Sequence, residues 1–332
     1  MSKDEQIRES AFSPAAHSKR KYDLQRMKHQ ASSSGDDGAS AQSSTSAASL
    51  KAAMDNTGPT LAKVKDFSTL VASSRRAGRH QMESAALFSM GLLYDNISLY
   101  GKALDCYKKF RALCQKLGDR VGEALAYNCI GVDLMHMAAR EAGDISFNGA
   151  FAGVGSRHLQ TALQYHSKHL DIADDAGQFV AHSNLALALG ALGRPVDAAK
   201  HHQEALRIAI RLQSAHGQSI SVGNLGLLGA RQGDLTTAKA CMDQHLQLVQ
   251  SMHDASAEAN AWLQLGLLAN AETNFEQAAR YFEQARTIAA RNGEQGTLKR
   301  ANCNIGVARG NLRLREHMQQ LAAHAEAHKL KS

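Results

Sequence analysis

Apolar residues recur every three or four positions along most of this chain, the spacing that places them on one side of a helix. The pattern is clearest between Ser84 and Glu123, where it occurs twice in succession. Its apolar positions are Leu87, Met90 and Tyr94, followed by Ala103, Tyr107, Phe110 and Leu113. The stretch therefore predicts a helix, a turn and a second helix. Since no segment shows the two-residue alternation of a strand, we expect an all-α protein.

The helical pattern repeats at a fixed distance. A small residue in the middle of the first helix returns along the chain, with steps of 40, 55, 40, 40 and 40 residues. These positions are Gly91, Gly131, Ala186, Gly226, Gly266 and Gly306. Self-similarity of this kind is typical of a solenoid of stacked helix pairs. Small residues at these positions would let the two helices of each pair approach closely.

The repeats predict the order of units along the array, which we place at residues 58–330. A half-repeat at 59–78, headed by Pro59, covers the first pair. Full repeats follow at 80–118, from 121 onward, and at 179–214, 218–253 and 257–293. Two capping helices, 295–309 and 312–329, close the array. The 55-residue step marks an insertion at about 139–157, which is glycine-rich and is either a partner-contacting loop or a plain tolerated one.

Residues 1–57 have a different composition. A basic cluster from Lys19 to Lys28 precedes a segment rich in Ser, Gly and Ala at 31–49. Such a segment buries too little apolar surface to offset the entropy of ordering it, so we predict a flexible tail. The basic cluster is interpreted as a docking helix, a nuclear-import-like sequence or solvated charge.

The repeat positions resemble the tetratricopeptide repeat (TPR) family. Gly91, Tyr94, Ala103 and Tyr107 are similar to its small and aromatic columns. The fullest copy comprises Trp262, Gly266, Ala278, Phe282 and Ala285. The 40-residue period resembles the longer variety found in Pins-type adaptors and kinesin light chains. This resemblance implies a right-handed superhelix of antiparallel helix pairs with a concave groove.

The resemblance also implies binding residues. In those arrays, asparagines two residues before the small position line the groove and bind the backbone of an extended peptide. The matching residues here are Asn184, Asn224, Gln264 and Asn304, while Ser89 and Cys129 depart from the pattern. Arg231 projects into the same groove, as a partner for an acidic side chain or as a solvated charge. The alternative for the carboxamides is hydrogen bonding between helices.

Catalytic and metal-binding patterns are missing from the sequence. The sixteen histidines include no H-E-x-x-H pair and no Cys/His quartet with zinc spacing. No phosphate loop and no catalytic triad order stands out either. We therefore expect a protein that is not an enzyme and takes no cofactor or metal. His166 and His202 are expected to replace the aromatic residue between helix pairs.

Charge and cysteine usage narrow the partners and the compartment. The formal net charge is +7, which favours an acidic segment of a partner protein rather than nucleic acid. Five scattered cysteines predict a reducing compartment, and the short apolar runs predict no membrane segment. The sequence thus indicates a cytoplasmic scaffold that binds a partner peptide or helix. The alternative is a structural subunit of a large assembly, such as a ciliary or flagellar axoneme.

Overall fold

The computed structural model describes residues 58–141 and 157–329, and within these ranges it contains twelve α-helices and no strand. The predicted tail at 1–57 lies outside the described residues, as does most of the insertion predicted at 139–157. The helices are α1 (Gly58–Arg76), α2 (His80–Asn96), α3 (Tyr100–Leu117), α4 (Arg120–Glu141), α5 (Arg157–Ile172), α6 (Asp175–Ala191), α7 (Pro195–Arg211), α8 (Ala215–Gln232), α9 (Leu235–Ser251), α10 (Ala255–Ala271), α11 (Phe275–Arg291) and α12 (Gln295–Lys329).

The chain forms two compact units, divided after His201. The first contains α1 to α6 and the beginning of α7, and the second contains the rest of α7 and α8 to α12. Inside each unit a helix packs mainly on the next helix of the chain. Alternate helices also touch, as α4 does with α6 and α10 with α12. This is the packing of stacked helix pairs, so the predicted all-α, TPR-type repeat fold is confirmed.

The turns between helices repeat with the same period as the helices. A residue with positive φ ends one helix, and the next residue often caps the following helix. In the second unit Gly233 (φ 79°) precedes Asp234, whose carboxylate accepts from the backbone N–H of Thr237 at 3.0 Å. Forty residues later Thr273 and Asn274 do the same. Capping of this kind satisfies backbone donors that the first helical turn leaves unpaired.

The small positions sit where the first helix of a pair meets the second. A Cβ atom added at Gly91 would overlap the ring of Tyr107, and one at Gly266 would overlap the ring of Phe282. At Gly226 it would come within 2.7 Å of the Met242 methyl group. These glycines are therefore required by close approach between helices rather than by backbone conformation.

The C-terminal helix differs from the prediction. Instead of two helices at 295–309 and 312–329, the structure has one helix of 35 residues, α12. The positions equivalent to Gly233–Asp234 and Thr273–Asn274 are Arg313 and Leu314. Neither residue favours positive φ, and neither can cap a helix through a side-chain oxygen. The helix continues through the place where the other pairs turn. The missing cap alone does not explain this, because the equivalent Ser98 and Leu99 form a turn although Leu99 makes no side-chain cap hydrogen bond.

Candidate peptide-binding face

Asn184 is buried between helices rather than open to a ligand. Its side chain is 1% exposed, and its Nδ2 donates to Oδ1 of Asn128 on α4 at 2.9 Å. A peptide would have to displace this bond to reach it. We therefore assign Asn184 to the hydrogen bond between α6 and α4, and keep peptide contact as a proposal for the other three carboxamides.

Asn224, Gln264 and Asn304 are half-buried and lie on α8, α10 and α12 of the second unit. They are 40 residues apart, so each occupies the same position on the first helix of its pair. In the first unit, the two positions that depart from the asparagine pattern carry no carboxamide. Ser89 bonds back to the carbonyl of Ala85 at 2.9 Å, and Cys129 is buried.

An apolar row lies beside the carboxamides, and the sequence analysis did not identify it. Its members follow each carboxamide by three residues, which keeps them on the same side of the helix. They are Leu227, Leu267 and Val307, of which the last two are 37% and 48% exposed. Their 40-residue spacing was the signal that would have found them. We call the two rows together the carboxamide face.

A hydrogen bond shows that equivalent positions of neighbouring first helices adjoin. Arg300 Nη2 on α12 donates to Oδ1 of Asn260 on α10 at 3.0 Å. These residues lie one helical turn before Asn304 and Gln264. The bond therefore places the α10 and α12 parts of the carboxamide face side by side.

The charges along this face are positive. Arg300 lies one turn before Asn304. Arg231 lies two turns after Asn224, with Leu227 between them, and its side chain is exposed. No Asp or Glu occupies the rows formed by residues four before, at, three after or seven after the carboxamides. The face therefore combines donors and acceptors for a peptide backbone, apolar contact area and two guanidinium groups.

The first unit contains a buried pair of carboxyl groups. Asp95 on α2 and Asp133 on α4 are 3% and 1% exposed and are hydrogen-bonded to each other. Burial raises the pKa of Asp133 far above its usual value, and the neighbouring Asp95 raises it further. Burial also raises the pKa of the adjacent Tyr107 hydroxyl, which stays protonated. One proton shared by the two carboxyls accommodates both groups in this buried position.

The first unit also has an open cavity of about 310 Å³ between α5, α6 and the start of α7. Its polar rim includes Arg194 and Lys200, but both already contact Asp197, at 2.7 and 3.4 Å. His201 at the rim lies 2.8 Å from His182, nitrogen to nitrogen. The two cations of this rim share one carboxylate, whereas the carboxamide face repeats its polar groups on three helices.

Within residues 58–141 and 157–329, no group of three or more His, Cys, Asp or Glu side chains is arranged to hold a metal ion. All five cysteines are free thiols, and Cys106, Cys114 and Cys129 are buried. None of the helices in the same ranges combines the length and the apolarity needed to cross a membrane.

Comparison with known proteins supports the fold. No protein-family model matches the sequence, and no curated protein does. Among solved structures, aspartyl phosphate phosphatase F from Bacillus subtilis is 13% identical, with a TM-score of 0.60 over 98% of this chain and 85% of that one. BtubC (BKLC) from P. vanneervenii is 19% identical, with a TM-score of 0.58 over 70% of this chain and 92% of that one.

A third structure is a kinesin light chain with TPR-like repeats from P. anserina, 13% identical, with a TM-score of 0.50 over 64% of this chain and 96% of that one. Identities this low show a shared fold and nothing more. They confirm the TPR-like part of the resemblance. Kinship with Pins-type adaptors stays a prediction.

Proposed function

We propose that this protein is a non-catalytic interaction scaffold whose second unit binds a segment of a partner protein along the carboxamide face. The observation that carries the proposal is the threefold repetition of a half-buried carboxamide and an apolar side chain on α8, α10 and α12. Repetition at equal intervals suits a ligand that is itself periodic, such as an extended strand or a helix.

Each element of the face has a function in this proposal. A carboxamide offers a donor and an acceptor together, so Asn224, Gln264 and Asn304 can bind peptide groups whatever the side chains of the ligand. The apolar row supplies area that a ligand can cover, at about 25 cal/mol per Å² buried. Arg231 and Arg300 favour a segment with Asp or Glu at matching positions.

Affinity purification of the full chain with mass spectrometry identifies the partner, and variants then locate its site. The triple variant Asn224→Ala, Gln264→Ala and Asn304→Ala should weaken partner binding at least about tenfold, because each lost hydrogen bond removes about 0.5–1.5 kcal/mol. The matched control is Gln319→Ala with Gln320→Ala, which removes two exposed carboxamides of α12. Its binding should equal that of the wild type.

Charge is tested separately with Arg231→Glu. We expect weaker binding and a smaller dependence of affinity on salt, since a screened attraction has been removed. Unchanged affinity in both the triple variant and Arg231→Glu would refute the carboxamide face as the binding site. Recovery of tubulin or axonemal proteins, with affinity insensitive to these variants, would instead favour the structural-subunit alternative.

A further inference from the structure

Arg111 on α3 is a half-buried cation that faces aromatic rings instead of a carboxylate. Its guanidinium carbon lies 5.4 Å from the ring centre of Tyr127 on α4 and 6.0 Å from that of Tyr165 on α5. Its Nε atom is enclosed and has no hydrogen-bond acceptor, and Arg111 forms no ion pair within the described residues. The attraction between the cation and the two rings therefore fixes the guanidinium where three helices meet.

Positive and negative charges lie on different helices around this residue. α3 and α5, the second helices of their pairs, together carry seven Lys and Arg residues and two Asp residues. α2 and α4, the first helices of the same pairs, carry two Arg residues and five Asp and Glu residues. Within residues 58–141 and 157–329, none of the seven cations of α3 and α5 forms an ion pair. The second helices therefore carry an excess of positive charge, which favours an acidic ligand.

Two exposed lysines flank Arg111. Lys108 lies one turn before it on α3, and Nζ of Lys168 on α5 lies 5.9 Å from the ring centre of Tyr165. The three cations come from two second helices that both pack on α4, and the contact of Arg111 with Tyr165 joins those helices. Such an arrangement suits a ligand that carries several negative charges. We call Lys108, Arg111, Lys168 and the ring of Tyr165 the basic surface.

The guanidinium of Arg111 can bind an anion at one edge. Its two Nη atoms are neither enclosed nor hydrogen-bonded to the described residues, whereas Nε is covered. Glu123 on α4 is not their partner, because its carboxylate accepts from Gln115 Nε2 at 2.6 Å and from the Tyr127 hydroxyl. A carboxylate matches the fork of donors that a guanidinium presents and forms short, strong hydrogen bonds with it. The anion that completes this site therefore comes from outside the described residues.

We propose that the basic surface binds an acidic segment of a partner protein, with one Asp or Glu carboxylate of that segment on the Nη atoms of Arg111. Lys108 and Lys168 attract the neighbouring acidic residues of the segment. A peptide fits better than a nucleic acid, because Asp105 on α3 and Asp171 on α5 are exposed and would repel an unbroken line of phosphates. The surface lies in the first unit and shares no residue with the carboxamide face, so it is tested independently of the proposed function.

The test is the binding of fluorescent poly-L-glutamate to the full-length protein. Arg111→Gln should weaken binding about tenfold or more, since it removes charge-assisted hydrogen bonds. Arg286→Gln removes the same charge from an exposed position of α11 and should weaken binding less than about twofold. Tyr165→Leu changes no charge but removes a ring that holds Arg111, so it should also weaken binding, whereas Tyr165→Phe should bind like the wild type. A wild type that does not bind, equal effects of the two arginine variants, or no effect of Tyr165→Leu would overturn the proposal.

A second pair of variants decides the question even if Arg111→Gln does not fold. Lys108→Glu with Lys168→Glu changes two exposed side chains and should weaken poly-L-glutamate binding about tenfold or more at unchanged helix content. Arg286→Glu with Lys299→Glu makes the same charge change at exposed positions of the second unit and should have a much smaller effect. Equal losses in the two variants would refute the basic surface. Oligothymidylate should bind more weakly than poly-L-glutamate, and tighter binding that depends on Arg111 would overturn the assignment of an acidic protein segment.

Discussion

The imidazole of His166 lies directly against Gly131, where Tyr107 lies against Gly91 and Phe282 against Gly266. His166 is fully buried, and neither ring nitrogen makes a well-formed hydrogen bond within the described chain. Burial lowers the pKa of His166 to about 3, with a smaller effect from the neighbouring His169. The pKa of His169 is lowered by burial to about 4. Both histidines are therefore neutral in the folded protein.

These two histidines predict acid sensitivity. Below pH 6.5 the unfolded chain takes up protons that the folded chain does not, so stability falls as the pH drops from 6.5 toward 4. At pH 5 each histidine should cost about 2 kcal/mol of unfolding free energy. Denaturant titrations at pH 7 and pH 5 measure this loss.

His166→Phe should remove about half of that loss. The phenyl ring matches Phe282 in the equivalent position. It also replaces two buried polar atoms, and burying such atoms without hydrogen bonds costs about 1–3 kcal/mol in proteins. We expect a variant more stable than the wild type, with the larger gain at pH 5. Equal pH dependence in the two proteins would show that His166 does not titrate on unfolding.

Gly226→Leu tests the register of the helix pairs. A side chain there would overlap the Met242 methyl group and crowd Cys241 and the Ala238 carbonyl, so we expect a loss of about 1–3 kcal/mol. Gly101→Leu is the matched control, because a Cβ atom at Gly101 meets nothing within 4 Å. The control should melt at or above the wild-type temperature. An unshifted melting curve for Gly226→Leu would count against the assigned contact.

The sequence predicted the repeats because their determinants are local and periodic. The spacing of Gly91, Gly226 and Gly266 follows from contact between paired helices, and each such contact leaves its own mark in the sequence. The continuity of α12 was missed because the repeat pattern placed a turn between the expected helices 295–309 and 312–329, where the structure has one uninterrupted helix. Gly310 is helical, since a single glycine weakens a helix without ending it.

The carboxamides show a different limit. Asn184 and Asn224 occupy equivalent positions, yet one is buried against Asn128 and the other is partly open. The deciding residue, Asn128, comes 56 residues earlier and lies one position off the repeat column. Its partnership with Asn184 depends on how α4 and α6 pack, which no local pattern encodes.

Asn184→Ala should therefore destabilise the first unit. It leaves Asn128 Oδ1 buried without its donor, which costs about 1–3 kcal/mol. Asn224→Ala should change the melting temperature far less. Thermal melts of the two single variants, alongside partner binding, distinguish the two roles. Equal stability of both variants would mean that the Asn128 bond contributes nothing measurable.

The buried carboxyl pair predicts the opposite dependence on pH from the histidines. Because the pKa of Asp133 is raised in the fold, the stability that its proton provides is present at low pH and is lost as the pH rises above the unfolded value. Asp133→Asn keeps a hydrogen-bond donor facing Asp95 and needs no shared proton. We expect this variant to be more stable than the wild type at pH 8, with a flatter decline toward pH 9. Asp105→Asn changes an exposed carboxyl on α3 and should leave the curve unmoved. If Asp133→Asn were less stable than the wild type at pH 8, Asp133 would have to be ionised in the fold, and the shared proton would be disproved.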